Sequence, residues 1–191
     1  MEINQIIGDM CNVYLIKSNI TILIDAGAKL NDILNYTKNI DYIFITHAHF
    51  DHIYYINEYA NFFKKAKFLM SQQAFEKLKD NNLNGANMFG INLNVNLLKE
   101  RVVFVKDESC IKDLVYENHI VELQGHTDCS CGLIINDNLF SGDVIFEDGI
   151  GRYDLPTGSL SQSIQTQRKI KTLNINTIYA GHGNIFKYNC E

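Results

Sequence analysis

The chain has 191 residues, 46% of them hydrophobic, and a formal net charge of −5 at pH 7. This size and apolar content suit one domain with a substantial core, and we predict a single domain over residues 1–191. The acidic balance offers no basic field for a phosphate backbone, which argues against nucleic-acid binding.

Signals for secretion or membrane insertion are not apparent in the sequence. The N-terminal stretch has neither the basic start nor the apolar run of a signal peptide, and no window approaches the ~20 apolar residues that span a bilayer. The cysteines are odd in number and irregularly spaced, which is typical of reduced thiols. They are Cys11, Cys110, Cys129, Cys131 and Cys190. We expect a cytoplasmic protein with no membrane partner and an oligomeric state that the sequence leaves open.

The first quarter of the chain alternates short β-rich runs with Gly, Asp, Asn and Ser breaks. This pattern predicts three strands, at 3–7, 13–16 and 21–24. A helix is expected over 28–39, where leucine and isoleucine recur at helical spacing. The almost wholly apolar run 41–46 predicts a strand that is buried on both faces.

A helix is expected after residue 51, with Asp51 as its N-cap and apolar residues along one face. A strand at 66–70 and a surface helix at 73–79 follow, an order that suggests helices laid on a sheet. Residues 81–98 are rich in Asn and Gly and have no clear period, which predicts a long irregular loop. Such loops are uncommon unless functional, so we interpret this one as an active-site rim or lid, with a mobile connection as the alternative.

The second half predicts a further set of antiparallel strands, followed by a helix and a last strand at 177–180. The antiparallel strands are expected at 102–105, 111–116, 120–123, 132–135 and 139–140. Ser159 and Gln162 form a capping-box signature for the helix. Its inward face is predicted to carry Leu160, Ile164, Ile170 and Leu173. Two β-rich halves with added helices predict an α+β fold, a four-layer αβ/βα sandwich with the helices on both outer faces.

Five of the six histidines lie in short motifs at predicted strand ends. They are His47, His49 and His52, then His126 in Gly125-His126-Thr127, and His182 in Gly181-His182-Gly183. Any one of them alone is typical of a buried structural histidine, but together they indicate a metal site. Two carboxylates accompany them, Asp51 in the first motif and Asp143 after Ser141-Gly142.

This set of side chains is large enough for two ions. Three histidines with a shared carboxylate can bind one Zn²⁺, and Asp51 with two histidines and the same carboxylate can bind a second, each with a position for water. Two ions ~3.5–4 Å apart would hold a bridging hydroxide, since metal binding lowers the pKa of water to roughly 7. We expect two divalent ions, zinc first, with iron or manganese as alternatives.

The ordered motifs resemble those of the metallo-β-lactamase superfamily over essentially the whole chain, from Asp25 to His182. The signature His-x-His-x-Asp-His is complete at residues 47–52. The resemblance implies the metallo-β-lactamase fold and two metal positions. In similar proteins the first metal would be held by His47, His49 and His126, and the second by Asp51, His52 and His182, with Asp143 as the bridge. Asp25 matches a position that orients a ligating imidazole from behind; the alternative is a turn residue that ends a strand.

Within the superfamily, residues 140–146 and 151–156 look like the glyoxalase II (hydroxyacylglutathione hydrolase) group and its short bacterial relatives. This resemblance implies that Arg152 contacts the polar end of the substrate, with a structural ion pair as the alternative. Two departures put glutathione recognition in doubt. The chain ends about nine residues after His182, without the C-terminal helical region of full-length glyoxalase II. A substrate-contacting Tyr of that group is replaced by Asp154.

The predicted function is therefore a metal-dependent hydrolase of the hydroxyacylglutathione hydrolase type, acting on a small-molecule thioester. The metal-bound bridging hydroxide attacks the carbonyl, the metals stabilise the oxyanion and the departing thiolate, and Asp51 orients the hydroxide and takes up its proton. One alternative is a persulfide dioxygenase with a single Fe(II) on His47, His126 and Asp143. A second is a non-catalytic binding domain of the same fold.

Two cysteines closely follow His126, at positions where similar proteins commonly carry a Gly-Ser step. Thiolates are good metal ligands, so Cys129 or Cys131 is conceivable as a ligand. Alternating positions of a strand also produce ordinary buried thiols, and we expect this structural role.

Overall fold

The computed structural model describes residues 1–91, 93–106 and 119–188, and within these ranges the strands form two main sheets and one short hairpin. The six strands of the first sheet lie side by side in chain order: β1 (Glu2–Ile7), β2 (Asn12–Lys17), β3 (Thr21–Ile24), β4 (Tyr42–Phe44), β5 (Lys67–Met70) and β6 (Val102–Phe104). The first three pair antiparallel, and β3 to β6 run parallel.

The second sheet comes from the other half of the chain. Its described strands are β7 (His119–Glu122), β8 (Cys131–Ile135), β9 (Asn138–Gly142), β12 (Thr177–Ala180) and β13 (Phe186–Lys187), and they lie in the order β13-β12-β9-β8-β7. β9 and β12 are parallel neighbours, whereas the other pairs are antiparallel. The short hairpin consists of β10 (Ile145–Phe146) and β11 (Gly149–Ile150), which lie between β9 and β12 in the sequence.

Helices cover the outer face of each sheet. They are α1 (Leu30–Leu34), α2 (Phe50–Ile53), α3 (Ile56–Phe62), α4 (Gln72–Lys77) and α5 (Leu160–Lys171). Two 3₁₀ turns, Ala86–Phe89 and Val95–Leu97, lie in the segment between α4 and β6. None of the helices in the described part of the chain is long and apolar enough to cross a membrane.

Apolar side chains alternate between two layers along the strands of the first sheet. In β2, Val13 and Leu15 pack with residues of α1, α3 and α4, whereas Tyr14 and Ile16 pack against the second sheet. This is the period of two expected for a strand buried on both faces. A third apolar layer joins the second sheet to α5, where Ile170 is fully buried. The predicted four-layer αβ/βα sandwich is confirmed.

Some predicted elements have different bounds in the structure. The helix expected over 28–39 is only α1, since the Ala28 carbonyl accepts a hydrogen bond from the Tyr59 hydroxyl instead of joining a helix. The single helix expected after residue 51 is divided into α2 and α3. The division arises where the Tyr55 amide donates to the Ala26 carbonyl at 2.9 Å rather than to residue 51. The strand expected at 111–116 lies outside the described residues.

One prediction about packing was wrong, and a second was only half correct. The strand at 102–105 was grouped with the second set, but β6 pairs in parallel with β5 in the first sheet. Half of the predicted inward face of α5 is confirmed, because Ile170 is buried and Leu173 packs against the same apolar layer, whereas Leu160 is 46% and Ile164 43% accessible. Ser163 and Thr166 face inward instead. Ser159 does cap the helix, as predicted, by accepting a hydrogen bond from the amide of Gln162.

One arginine anchors the irregular segment between α4 and β6 to the rest of the fold. The guanidinium of half-buried Arg101 donates to the carbonyls of Phe63 and Ala60, both at 2.9 Å, and to that of Leu97 at 2.8 Å. It also lies over the ring of Phe68, 5.2 Å from its centroid. The guanidinium of Arg101 therefore contacts three segments of the chain, around residues 60–63, 68 and 97.

We expect Arg101→Met to lower the free energy of unfolding by about 2–3 kcal/mol, because three partly buried carbonyls would lose a charged donor. Denaturant unfolding of the purified variant measures this loss. The matched control is Arg168→Met on the exposed face of α5, for which a change within about 0.5 kcal/mol is expected. Equal stability of the two variants would contradict an anchoring role for Arg101.

Candidate metal centre

The first ligand motif lies where the chain leaves β4. Residues 45–49 have no regular structure, and α2 begins at Phe50 with His49 in the N-cap position. The prediction of Asp51 as the N-cap was wrong, because Asp51 lies in the first turn of α2 and no side chain caps this helix. Its carboxylate has another partner, since Oδ2 lies 2.9 Å from Nε2 of His182.

The other candidate ligands come from the second sheet. Asp143 directly follows β9, and His182 follows β12 by one residue. These strands are parallel neighbours, so their carboxyl ends meet at the same edge. His126 lies in the turn between β7 and β8. The packing of the two sheets brings this edge against the 45–52 segment.

The seven candidate ligands fall into two adjacent groups, and the candidate ligand atoms in each lie within 4.8 Å of one another. One group is His47, His49 and His126; the other is Asp51, His52, Asp143 and His182. In the first, His49 Nδ1 is 2.8 Å from His126 Nε2. In the second, His52 Nε2 is 3.1 Å from Asp143 Oδ1. Asp143 Oδ2 lies 3.8 Å from His126 Nε2 and 3.4 Å from His182 Nε2, and so faces both groups.

The donor atoms of this cluster fit a metal ion. His47 Nε2, His52 Nε2 and Asp143 Oδ1 are buried and form no hydrogen bond with a described residue, although the last two face each other at 3.1 Å. Buried polar atoms without partners are costly, and a divalent cation would satisfy all three. Imidazole nitrogens combined with carboxylate oxygens suit zinc, iron and manganese.

A buried carboxylate orients one histidine in each group. Asp25 Oδ2 accepts hydrogen bonds from Nδ1 of His52 and from the hydroxyl of Thr46, each at 2.8 Å, while Oδ1 accepts from the Thr46 amide. The Thr46 oxygen in turn lies 3.1 Å from Nδ1 of His47. With Nδ1 of each ring hydrogen-bonded, Nε2 is the atom through which His47 and His52 would bind a cation. Asp25 thus contacts His52 directly and His47 through Thr46; its support of metal ligands stays a prediction.

Arg152 contributes to the site through its backbone. Its carbonyl accepts a hydrogen bond from Nδ1 of His126 at 2.6 Å, which leaves Nε2 of that ring for a ligand. The Arg152 side chain is 66% exposed and forms a two-pronged ion pair with Asp154, from Nε and Nη2 at 2.9 Å each. A structural ion pair is the predicted alternative to a substrate contact of Arg152, and this ion pair is present.

Two residues that the sequence reasoning missed fix the His182 loop. Asn12 donates its amide N–H to the carbonyl of Gly181 at 2.7 Å, and its side chain donates to those of Ala180 and Gly183. The Tyr14 hydroxyl also donates to the Ala180 carbonyl, at 2.6 Å. A polar Asn at the start of an otherwise apolar buried strand is the signal that could have revealed this role.

Burial and neighbouring charges set the protonation of the cluster. Burial, reinforced by the imidazole of His126, lowers the pKa of His49 to about 4, and burial likewise holds the pKa of His47 well below its usual value. Both rings are thus neutral near pH 7, as metal ligands must be. Hydrogen bonds to Asp143 and Asp51 raise the pKa of His182 to about 9. A bound cation would therefore displace a proton from His182.

The structural role expected for Cys129 and Cys131 is consistent with their surroundings. Both are buried, and Cys131 Sγ lies 3.4 Å from the Thr46 carbonyl. Neither belongs to a candidate ligand group among the described residues. Cys11 does, since its sulfur lies within 4.8 Å of ligand atoms of Asp25 and His52. Burial raises the pKa of Cys11 to about 11, so it packs there as a neutral thiol near pH 7.

The segment expected to form an active-site rim contacts the first motif. Phe50, between His49 and Asp51 in the sequence, donates its amide N–H to the Asn84 carbonyl at 2.8 Å. The rings of Phe50 and Phe89 stack with centroids 4.1 Å apart. The segment therefore lies against the ligand-bearing turn, which is a necessary condition for a rim; its role in function stays a prediction.

A four-layer αβ/βα sandwich with a His/Asp cluster where its sheets meet defines a class of metal-dependent hydrolases. The chain belongs to the metallo-β-lactamase superfamily, whose family model matches residues 6–182. It is 35% identical over 193 residues to a probable metallo-hydrolase from Methanocaldococcus jannaschii, an alignment that covers 93% of this chain and 90% of that protein.

Two further comparisons bear on activity and fold. The chain is 29% identical over 177 residues to the hydroxyacylglutathione hydrolase GloC of Haemophilus influenzae, covering 84% of this chain and 79% of that one. Among solved structures it resembles TTHA1623 in a di-iron-bound form, with a TM-score of 0.80 and 20% identity over 98% of this chain and 94% of the other. The similarity to TTHA1623 shows a shared fold alone.

We expect Gly181→Ala to weaken metal binding by about 10- to 100-fold, the usual effect of disturbing ligand support. A Cβ at Gly181 would overlap Asp143 Oδ1 and the ring of His52, and so would push two candidate ligands apart. Competition with a chromogenic chelator measures the affinity.

The control for this variant is Gly183→Ala, two residues along the same loop. Gly183 has a positive φ of 74°, but a Cβ there would meet no atom within 4 Å. This variant should lose about 1 kcal/mol of stability from backbone strain and keep its metal affinity. Equal metal affinity in both variants would show that the close approach at Gly181 is unimportant.

Proposed function

We propose that this chain hydrolyses thioester bonds of a small-molecule substrate with the help of two divalent metal ions, zinc in the first place. The observation that carries the two-ion assignment is the pair of adjacent ligand groups that share Asp143. The similarity to a hydroxyacylglutathione hydrolase supports thioesters as the substrate class.

In this proposal each ligand group holds one ion. His47, His49 and His126 would hold the first, Asp51, His52 and His182 would hold the second, and Asp143 would be shared between them. Bound ions of this kind lower the pKa of water and polarise a carbonyl oxygen. The Asp25–Thr46 network and the Arg152 carbonyl hold the imidazoles in place, so little reorganisation is needed when substrate arrives.

Asp51 is the proposed catalytic carboxylate. Its side chain remains 29% accessible at the cluster, and Oδ2 already accepts a hydrogen bond from His182. Burial alone would raise the pKa of Asp51, but the charge of His52 and this hydrogen bond lower it, so the carboxylate is ionised near pH 7. An ionised Oδ atom can orient an attacking water and accept its proton.

Arg152 is the proposed contact for the acyl part of the substrate. Its Nε and Nη2 are held by Asp154, which leaves Nη1 to donate to an oxygen of the substrate. Because Asp154 neutralises the guanidinium, this contact suits a hydroxyl or carbonyl oxygen better than a carboxylate.

We expect the metal-loaded protein to retain two metal ions per chain after dialysis, as measured by inductively coupled plasma mass spectrometry. Chelation should abolish hydrolysis and added Zn²⁺ or Mn²⁺ should restore it, because imidazole and carboxylate ligands bind divalent cations reversibly. One iron per chain, together with oxygen uptake on glutathione persulfide, would instead support the dioxygenase alternative.

We expect Asp51→Asn to lower kcat for thioester hydrolysis by about 10²–10⁴-fold, the usual contribution of a general base. The amide keeps an oxygen for the metal but cannot accept the proton, so rates are compared at equal measured metal content. The control is Glu58→Gln, an exposed position on α3. If wild-type protein hydrolyses neither S-lactoylglutathione nor any neutral or cationic acyl thioester, the thioesterase proposal fails.

A further inference from the structure

A cavity of about 380 Å³ lies beside the second ligand group. It is lined by Phe146, Glu147, Asp148, His182, Gly183 and Asn184. His182 belongs to both the cavity and the ligand cluster, so the cavity adjoins the place where the proposed reaction occurs. Its other wall comes from β10 and the turn of the short hairpin.

The hairpin turn gives this cavity two carboxylates. Glu147 and Asp148 are exposed, and neither forms an ion pair with a described residue. Glu147 Oε2 accepts a hydrogen bond from the side-chain amide of Asn184 at 3.0 Å, which fixes the carboxylate across the cavity. Lys171 and Lys187 line an adjoining groove together with Glu147, but neither pairs with it.

The aromatic ring of Phe146 stands next to these carboxylates. Its centroid lies 6.4 Å from that of His182. A ring face attracts cations, and together with carboxylates it forms the type of environment that binds an ammonium group. An anionic group would meet the carboxylates of Glu147 and Asp148 in the same place.

The cation nearest in sequence to the hairpin is already neutralised. Arg152 is engaged by Asp154 through two hydrogen bonds. Its carbonyl supports His126, in the first ligand group, whereas the cavity lies at His182, in the second. A substrate that spans both groups would therefore place its acyl part toward Arg152 and its thiol part toward the cavity.

We infer that the cavity beside His182 binds a positively charged, ammonium-type group on the thiol part of the substrate. This inference rests on the proposed thioesterase function. It assigns Glu147, Asp148 and Phe146 to substrate selection, and it predicts that the preferred carrier is a cationic thiol rather than an anionic one such as glutathione.

Three thioacetates that differ in the charge of the thiol part test the inference. They are acetylthiocholine, its uncharged carbon isostere S-(3,3-dimethylbutyl) thioacetate, and 3-(acetylthio)propionate. With metal-loaded wild-type protein, kcat/KM should be about tenfold higher for the cation than for the isostere, and lowest for the anion. Added salt should reduce this preference, because the two carboxylates are exposed. Equal values, or a preference for the anion, would overturn the inference and leave the thioesterase proposal standing.

The double variant Glu147→Gln, Asp148→Asn separates the carboxylates from the rest of the site. In this variant the ratio of kcat/KM for cation and isostere should fall to within about twofold. The control is Glu58→Gln with Glu100→Gln, which removes the same charge from exposed positions elsewhere and should keep the wild-type ratio. A ratio that stays high in the Glu147/Asp148 variant would show that the cavity does not select the cation.

Binding of choline provides a readout that does not depend on turnover. Choline should shift the backbone amide resonances of residues 146–148 and 182–184 in the metal-loaded protein, whereas uncharged 3,3-dimethylbutan-1-ol should not. The double variant should lose the shifts. Choline binding without hydrolysis of any thioester would support the cation site and contradict the proposed function. Thioester hydrolysis without choline binding would support the proposed function and contradict the cation site.

Discussion

The hydrogen bonds of Asp25 are the interaction on which the candidate metal centre depends. One buried carboxylate accepts from the Thr46 amide, the Thr46 hydroxyl and the ring of His52. The backbone of Asp25 adopts a left-handed conformation, with φ 64°, which is uncommon for a residue other than Gly. Strain of this kind persists only where the surroundings enforce it and is frequent at functional sites. At Asp25 it allows one side chain to orient imidazoles of both ligand groups.

The approach of the two sheets is the second constraint, and glycine makes it possible. Asn12 and Tyr14 of the first sheet hold the end of β12 in the second sheet, through the carbonyls of Ala180 and Gly181. Gly142, at a positive φ of 54°, lies so close to Thr46 that a side chain would meet its hydroxyl. Ligands on different sheets therefore meet because small residues occur at the contact points.

Local sequence patterns were sufficient to select seven side chains that cluster in the fold, but not to predict their surroundings. The spacing of His47, His49, Asp51 and His52 is a property of six consecutive residues, and the ligand order along the chain needs no knowledge of packing. The inward face of α5 does depend on packing. Ser163 lies where the backbone of Gly125 approaches so closely that a Cβ at Gly125 would clash with it, and Thr166 donates its hydroxyl to the Gln124 carbonyl at 2.6 Å. The close approach of residues 124 and 125 therefore favours small polar side chains on this part of α5. A pattern of hydrophobic residues in the sequence does not predict such an approach.

The charges around the site also explain why Arg152 is paired. Under the proposed assignment, two divalent ions face two ligating carboxylates, so the centre is positive, while Glu147 and Asp148 make the adjoining cavity negative. A substrate with an electron-rich carbonyl at one end and a cation at the other is aligned by such a field, and the reverse orientation brings like charges together. Asp154 balances the charge of Arg152 through Nε and Nη2 and leaves Nη1 to donate hydrogen bonds, while the Arg152 carbonyl independently holds His126.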